Sequence, residues 1–461
     1  MKNTKIKLEF SIKSEKELEQ MNHEDLLEYI KNLQKNIVQE KPKKNSNNSS
    51  IAPSTQIVNP KVKNKSLRKK SNKNSGGQFG HEGKTLKQTN TADKIIDIEY
   101  NIKSCKKCDY DLTWVMSKLK ERRQVLDLDL NHINTQITQY QSYSKKCSNC
   151  GYINHDNSFP SLVSPNISYG KNIMAIVTYL SVVHYLPYNR IVFALQNLYN
   201  IVISEGTVDN LIKKASKLSK NEINKIVTQL EVSDLVGIDE TGCKVDGAKY
   251  WHWTFQNDNS TFITANKSRG TKVIDENFEN GFVNACVVHD NYSSYNSLKA
   301  SSEQLCLAHK LRDLNYAIEC DNTKLMKDIK TLLLEAMLDH KLSLTQERRI
   351  IMKQQYDLSL EYLFNRPTIE NSETAKQINS FKKAKDKIFT FLLRPNIPPD
   401  NNGSERAIRN VKVKLKVSGQ FKSEQGAIDY ANLRSITDTS RKRGMNEFEA
   451  LRDVIAGISI F

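Results

Sequence analysis

The sequence predicts an α+β protein of several domains, in which one strand-rich segment is flanked by helix-rich segments. Its 461 residues are enough for about two to four domains, each with its own core. Hydrophobic residues make up 38% of the chain and charged residues 26%, a balance typical of globular proteins. From Leu235 onward the apolar residues alternate as they do in strands, and helical spacing returns after His309.

The charge of the chain predicts a polyanionic partner. The formal net charge is +17, for which nucleic acid is the usual explanation and an anionic membrane surface the competing one. The longest apolar run, at 173–183, is far shorter than the roughly 20 residues that span a membrane. The N-terminus lacks the apolar region of a signal peptide, so we expect a cytoplasmic protein whose eight cysteines are thiols or metal ligands.

Residues 1–40 are predicted to contain one helix. Asn22, with Asp25 three residues later, gives a capping-box signal for its start. The apolar residues that follow are spaced by four, three and four positions: Leu26, Ile30, Leu33 and Ile37. This seam is compatible with a short dimerising coiled coil and equally with a single helix packed on its own protein.

Residues 41–95 are predicted to be a basic, disordered linker. Positions 41–74 contain ten Lys or Arg residues and no acidic residue, among Asn, Ser and Pro. Such a segment acts as a solvated tether, and its cations also suit non-specific contacts to phosphates. The glycines at 76–83 lack the spacing and the closing Lys-Ser or Lys-Thr of a phosphate-binding loop, so no nucleotide site is predicted there.

Residues 96–160 are predicted to form a zinc ribbon. Two Cys-x-x-Cys pairs, Cys105 with Cys108 and Cys147 with Cys150, are separated by 38 residues that show strand-like alternation. Four thiolates complete a closed tetrahedral site, so the single Zn²⁺ ion is expected to be structural. A redox role is the weaker alternative, because neither pair begins a helix after a strand. The lysines beside the cysteines make contact with DNA a further expectation.

Residues 165–225 are predicted to be helical, with helices at about 170–184, 187–199 and 205–218. Ser204 is placed to cap the last of these helices. Two helices joined by a short turn resemble a DNA-binding helix-turn-helix, although ordinary helix packing gives the same pattern.

Residues 230–320 are predicted to form the first part of a catalytic core. Strand signals at 235–245, 249–257 and 260–265 precede a helix and a further strand that leads into Asp290. Three antiparallel strands, a helix and another strand follow the order of a ribonuclease-H-like fold. In that order the ends of the first and fourth strands meet, which brings Asp239 and Asp290 together as hard oxygen ligands for Mg²⁺.

A helical insertion at 321–397 is predicted to separate this part from the last part of the core, at 398–461. Asp400-Asn401-Asn402 opens a helix whose first turns carry Glu405. With the two aspartates, Glu405 would complete a site for two Mg²⁺ ions, one activating the attacking oxygen and the other stabilising the leaving oxygen.

Other acids compete for these roles. Glu240 follows Asp239 directly, but successive side chains of a strand point to opposite faces, so only one of them is expected at the metal. Asp246 is expected in the hairpin turn with the glycine that follows it. Asp400 is expected to cap the helix after it, and Asp290 taken alone would also suit a helix cap.

Taken in order, these motifs resemble the large DDE subunit of the insertion-sequence-66 family of transposases. The resemblance covers about residues 76–444, and residues 1–75 match only in character. The matching pieces are the 76–83 glycine segment, the two Cys-x-x-Cys pairs, Asp239-Glu240-Thr241-Gly242 with Val245-Asp246-Gly247, His289-Asp290 before Tyr295, Cys306-x-Ala308-His309-x-x-Arg312-x-Leu314, and Asp400-Asn401-Asn402-x-x-Glu405-Arg406-x-Ile408-Arg409 with Val411-Lys412-x-Lys414 and Ser418-Gly419.

The resemblance implies a Mg²⁺-dependent DNA transposase with a ribonuclease-H-like core, a helical insertion and a zinc-binding DNA-binding region. By matching motif, Asp239, Asp290 and Glu405 take the positions of the catalytic acids. The expected partners are the DNA ends of the element, the target DNA and small accessory proteins of the same element. The protein is expected to bind DNA as a dimer or larger oligomer, and to be associated with the nucleoid when bound. A non-catalytic DNA-binding derivative and a structure-specific nuclease are the alternatives.

Two further groups are expected beside the acids. Cys306, His309 and Arg312 belong to a Cys-x-x-His motif like one found in several DDE transposases. A supporting role and simple burial both remain open for it, and zinc ligation is less favoured because two ligands seldom make a zinc site. A set of basic residues is expected either to contact phosphates or to form a solvated helix face: Arg406, Arg409, Lys412, Lys414 and Lys416.

Overall fold

The computed structural model describes residues 169–461 without a gap. Before them it describes only short stretches and single positions: 7–8, 17–18, 20–38, 42, 44–45, 48–49, 108–109, 111, 113–114, 144–146 and 153–155. Most of the predicted linker and zinc ribbon therefore lies outside the described residues. Within the described part, no helix is both long enough and apolar enough to cross a membrane.

The N-terminal helix α1 (His23–Asn36) begins at the predicted capping box. The Asp25 N–H donates to Asn22 Oδ1 at 2.8 Å, and Asn22 Nδ2 donates to Asp25 Oδ2 at 2.7 Å. The helix ends before Ile37, because strand β2 (Ile37–Val38) pairs with strand β1 (Lys7–Leu8). The prediction is therefore wrong for Ile37, and only Leu26, Ile30 and Leu33 of the predicted apolar seam lie in the helix.

Strands β3 (Ser144–Lys146) and β4 (Ile153–His155) pair antiparallel. They flank the positions of the second Cys-x-x-Cys pair in the sequence, so that pair falls in the connection between two hydrogen-bonded strands.

Four helices form the segment before the sheet: α2 (Lys171–Val182), α3 (Tyr188–Tyr199), α4 (Glu205–Leu218) and α5 (Lys220–Glu231). The first three confirm the predicted helices, and the fourth was not predicted. Ser204 caps α4 as expected, since its Oγ accepts the Thr207 N–H at 3.1 Å. Asn200 ends α3 in the left-handed region, at φ +52°, which lets the chain turn sharply toward α4.

A five-stranded mixed sheet forms the centre of the molecule, in agreement with the predicted α+β class. Its strands are β5 (Leu235–Val245), β6 (Ala248–Gln256), β7 (Thr261–Asn266), β8 (Phe282–His289) and β9 (Ala300–Leu305). Their spatial order is β7-β6-β5-β8-β9, with β5, β8 and β9 parallel to one another and β6 antiparallel to both of its neighbours. The β5–β6 turn places Asp246 and Gly247 at positive φ, as a two-residue hairpin turn requires.

The remaining helices are α6 (Lys272–Asn277), α7 (Leu307–Asp321), α8 (Lys324–Asp339), α9 (Gln346–Phe364), α10 (Glu373–Lys382), α11 (Asn402–Ser418), α12 (Glu424–Lys442) and α13 (Glu447–Ile455). Helices α8 to α10 lie within the helix-rich segment predicted at 321–397. Helix α11 returns the chain to the sheet, where Phe421 hydrogen-bonds with Lys244 and Asp246 at the end of β5.

Two apolar cores lie against opposite faces of the sheet. On β8, Ala285 and Val287 join a core that includes residues of α2 to α5, α12 and α13. Cys286 and Val288 point the other way and join a core made with the helical insertion. Because successive side chains of a buried strand point to opposite faces, the alternation along β8 determines which helices pack on each face of the sheet.

Helix α12 covers the edge strand β7. Ser435 Oγ accepts the Ile263 N–H at 2.8 Å, and Thr439 Oγ1 accepts the Thr261 N–H at 3.0 Å. These hydroxyls satisfy backbone donors that an edge strand would otherwise leave open for another strand.

Candidate active site

Asp239 and Asp290 are level with each other on adjacent parallel strands. The β5–β8 register pairs Gly237 with Val288, and each aspartate lies two residues beyond its paired residue. Asp290 is the first residue after β8, and its Oδ1 accepts the Tyr292 N–H at 3.0 Å. The parallel β5–β8 register thus brings together two acids that are 51 positions apart in the sequence, although Asp239 lies within β5 and not at its end as predicted.

Glu240 is held on the opposite side of β5 by two partners. Its Oε1 accepts a hydrogen bond from Arg269 Nε at 2.8 Å and lies 2.6 Å from Arg269 Nη2 in an ion pair. Its Oε2 accepts the hydroxyl of the buried Tyr295. With both carboxylate oxygens engaged, Glu240 is a poor competitor for a metal ion, which agrees with the preference for Asp239.

Arg269 is itself fixed between two aromatic rings. Its guanidinium carbon lies 4.4 Å from the Trp251 ring centroid and 3.7 Å from that of Tyr292. This stack ties β6 and the loop after Asp290 to Glu240.

Glu405 lies in the first turn of α11, as predicted, and is partly exposed. Its Oε1 is 3.9 Å from His309 Nε2 and 3.8 Å from Arg312 Nη2, both on α7. The third acid is therefore accompanied by two residues of the Cys-x-x-His segment.

The other acids act electrostatically on Asp239. Burial raises the pKa of Asp239 well above its ordinary value, and the charges of Glu240, Asp290 and Glu405 raise it further. The Glu240 N–H, which donates to Asp239 Oδ1 at 2.9 Å, opposes this rise. The ionised form of Asp239 therefore lacks a nearby positive charge large enough to balance it.

The donor chemistry fits a hard divalent cation. Within the described residues, no group of three or more His, Cys, Asp or Glu side chains is arranged as a metal site. The carboxylates of Asp239, Asp290 and Glu405 are nevertheless the oxygen ligands that Mg²⁺ prefers. A cation among them would remove the repulsion that raises the Asp239 pKa.

In the Cys-x-x-His pair, Cys306 is buried and His309 is partly exposed, and the described residues form no metal site there. Cys306 is 1% exposed, and burial raises the pKa of its thiol to about 12. Its Sγ accepts the Asn401 N–H at 3.2 Å. Burial, and next the charge of Arg312, lower the pKa of His309, so its imidazole is neutral. The motif therefore lies in a supporting position beside Glu405.

A polar cavity of about 260 Å³ opens beside Asp290. It is lined by Asp290, Asn291, Tyr292, Leu305, Cys306, His309, Lys310 and Asp313. Lys44, from the predicted linker, lies 4.8 Å from the Tyr316 ring centroid. Burial raises the pKa of Asp313, and the charge of Lys44 is one of several that oppose this rise. Lys44 therefore lies beside α7, the helix that carries His309 and Arg312.

The basic residues of α11 do not all face solvent. Arg406 and Arg409 are exposed and Lys412 is half-buried, so these three remain available to a phosphate. Lys416 is also exposed. Lys414 is buried, which lowers its pKa; the expectation that it contacts phosphates is wrong, because α11 turns that side of the helix inward.

Only one of the four predicted zinc ligands, Cys108, lies among the described residues. Cys108 is exposed, whereas Cys105, Cys147 and Cys150 lie outside the described residues.

The residue patterns gave no role to Arg269 or Asn401. Arg269 carries no signal in the sequence, because its partners come from distant positions. Asn401 belongs to the Asp400-Asn401-Asn402 segment, whose residue pattern predicts the start of a helix. Its side chain is buried, at 3% exposed, and this burial distinguishes it from Asn402.

Comparison with known proteins gives one match. A family model described as "Transposase IS66 family" matches residues 166–429, which is more than half of the chain. The matched range contains the five-stranded sheet, the helical insertion and all three acids. No curated protein sequence matches the chain.

Proposed function

The chain belongs to the IS66 family of transposases, and we propose that it is a DDE-type DNA transposase whose acids are Asp239, Asp290 and Glu405. The observation that carries this proposal is that Asp239 is level with Asp290 across the β5–β8 pairing, and that burial, followed by the charges of Glu240, Asp290 and Glu405, raises the pKa of Asp239. A buried carboxylate whose pKa is raised by carboxylates from separate elements is typical of a functional site.

The proposed core is ribonuclease-H-like. Its support is the strand order, in which three antiparallel strands are extended by two parallel ones and the acids fall on the first strand, after the fourth strand and on a later helix. The helical insertion between β9 and α11 leaves this arrangement intact, because it packs on one face of the sheet.

The proposed reaction is a pair of in-line displacements at phosphorus. Water first cleaves the phosphodiester at an element end and frees a 3′-OH, and that hydroxyl then attacks a phosphodiester of the target DNA. Two Mg²⁺ ions, when bound, would supply Lewis acidity to the attacking and leaving oxygens.

The residues of the chain would perform the rest. Asp239, Asp290 and Glu405 would hold the ions, and Asp239 must be ionised to do so, which its raised pKa makes dependent on pH. Arg406 and Arg409, exposed on the helix that carries Glu405, would hold the DNA backbone without reading its sequence.

The helical segment before the sheet is proposed to bind DNA as well. Helices α3 and α4 are joined by a tight turn, as in a helix-turn-helix, and the basic linker would add non-specific affinity that falls with salt. A dimer or larger oligomer is proposed because two element ends have to be joined to one target.

A strand-transfer assay tests this proposal. A marker gene placed between the DNA segments that flank the coding sequence should be inserted into a target plasmid by the purified protein with Mg²⁺. Cleavage without any joined product would instead indicate a nuclease, and binding without cleavage would indicate a DNA-binding derivative. Either outcome would contradict the proposed function.

A structural zinc ion is proposed at the four cysteines of the Cys-x-x-Cys pairs. The hairpin of β3 and β4 supports this, because a Cys-x-x-Cys turn between paired strands is how a zinc ribbon presents two thiolates. Metal analysis is expected to find about one zinc per chain, and Cys147→Ser to lose it together with binding of flanking DNA. Less than one zinc per chain, with no effect of a chelator on folding, would contradict the ribbon. Cys320→Ser, outside both pairs, is the matched control.

A further inference from the structure

The three acids lie on separate elements, yet the residue immediately before each acid enters one buried network. Ile238 precedes Asp239, His289 precedes Asp290 and Ser404 precedes Glu405. Two buried residues that the proposed reaction does not use, Asn401 and Cys306, connect these three positions.

Asn401 makes the first two connections with its side chain. Its Nδ2 donates to the Ile238 carbonyl at 2.6 Å, and its Oδ1 accepts the Ser404 hydroxyl at 2.7 Å. Both the donor and the acceptor of one buried amide are therefore used, one on the strand of Asp239 and one on the helix of Glu405.

Cys306 makes the third connection. Its N–H donates to the His289 carbonyl at 2.8 Å, and its Sγ accepts the Asn401 N–H at 3.2 Å. The segment is held a second time next to this point, since the Leu307 N–H donates to the Pro399 carbonyl at 2.9 Å. A protonated, buried thiol here is an acceptor and a small apolar side chain, with no sign of nucleophilic use.

Two glycines allow the strand and the helix to come this close. A Cβ at Gly237 would lie 2.8 Å from both Asn401 Oδ1 and Ser404 Oγ, and 2.5 Å from Gln256 Nε2. A Cβ at Gly403 would lie 2.5 Å from the same Gln256 nitrogen. The network therefore has no spare room in which the helix could shift against the strand.

We infer that Asn401 and Cys306 form a positioning pair that fixes Asp239, Asp290 and Glu405 relative to one another. The inference rests on the proposed role of the three acids and deepens it. Catalytic groups must be held within about 0.5 Å of their productive geometry, and loss of a supporting contact to metal ligands typically reduces metal affinity or activity by about 10- to 100-fold. Asn401 and Cys306 are positioning residues, since neither touches the DNA or a metal in this scheme.

Asn401→Ala, compared with Asn402→Ala, tests the first half of the pair. Asn402 has the same side chain one position later but makes none of these contacts. Asn401→Ala is expected to weaken binding of Mn²⁺ to the DNA-free protein, followed by electron paramagnetic resonance, by about tenfold or more. It should also lower kcat for nicking of supercoiled plasmid with little change in KM. Asn402→Ala should match the wild type in both.

Cys306→Ser and Cys306→Ala test the second half. Both remove the sulfur at similar cost in packing, but only serine keeps an acceptor for the Asn401 N–H. Mn²⁺ binding and kcat are expected to be largely retained in Cys306→Ser and reduced by about tenfold in Cys306→Ala. This pair decides the matter even if Asn401→Ala does not fold, because a purely structural role would lower stability without separating the two variants in metal binding.

Glu405→Gln, measured alongside, separates failure of the inference from failure of the proposed function. If Glu405→Gln loses Mn²⁺ binding while Asn401→Ala and Cys306→Ala keep it, the positioning pair is overturned and the acids stand. If Glu405→Gln also keeps wild-type Mn²⁺ binding, the metal site assigned to the acids is itself wrong, and the positioning pair falls with it.

Discussion

Asp239→Asn, Asp290→Asn and Glu405→Gln are each expected to reduce Mg²⁺-dependent cleavage of element-end DNA by about 10³-fold or more. Each change removes the negative charge of a proposed metal ligand while keeping the size of the side chain. Binding of the same DNA without metal should be largely retained, because the cations of α11 and the helices before the sheet are unchanged. Single-turnover cleavage and a gel-shift titration measure the two quantities.

Asp246→Asn is the matched control for these variants. Asp246 lies on the same hairpin as Asp239 but occupies the turn at φ +46°, a conformation that Asn adopts readily. Cleavage should be unchanged in this variant. Retained cleavage in Asp239→Asn, Asp290→Asn or Glu405→Gln would remove that residue from the site.

Asp239→Asn is also expected to stabilise the metal-free protein, with a gain that grows as the pH rises. Because the folded-state pKa of Asp239 lies above its ordinary value, ionisation of this group opposes folding. The penalty is absent below the ordinary pKa of an aspartate and accumulates as the pH rises toward the folded-state pKa. The neutral amide of Asn escapes it, so a gain of at least about 1 kcal/mol, or ~2 °C in unfolding midpoint, is expected at mildly alkaline pH.

Thermal unfolding in EDTA over a series of pH values measures this effect. The two midpoints should converge in acid, where Asp239 is protonated in the wild type as well. A midpoint for Asp239→Asn that equals or falls below that of the wild type at every pH would show that the Asp239 charge is already balanced. Added Mg²⁺ should narrow the gap, because the ion stabilises the wild-type carboxylates and has a weaker site in the variant.

Residue patterns predicted the local elements well, because each is encoded within a few neighbouring positions. The first strand was expected at 235–245, which are its observed limits. Asp246-Gly247 marked the hairpin turn through its preference for positive φ, and Ser204 marked the start of α4 through its capping oxygen. The order of strands then brought Asp239 and Asp290 together, because β5 and β8 are parallel neighbours, although β5 continues beyond Asp239 to Val245.

Contacts between distant positions were beyond those patterns. Strand periodicity predicted that Glu240 and Asp239 face opposite ways. It did not predict that Arg269 and Tyr295 would donate hydrogen bonds to the Glu240 carboxylate. Lys414 was grouped with exposed cations by its neighbours in sequence, and only the packing of α11 shows that it is buried. In each case the environment of the side chain is made by elements that the sequence separates by many residues.

The sequence by itself thus determined the elements, the sheet edge and the three acids to test, because strand alternation, turn chemistry and capping act locally. The tertiary structure alone decided how those acids are held. Asn401 connects the residues before Asp239 and Glu405, and through Cys306 the residue before Asp290. Two of these buried hydrogen bonds, from Asn401 to Cys306 and from Asn401 to Ile238, join residues 95 and 163 positions apart, which no local pattern records because folding creates them.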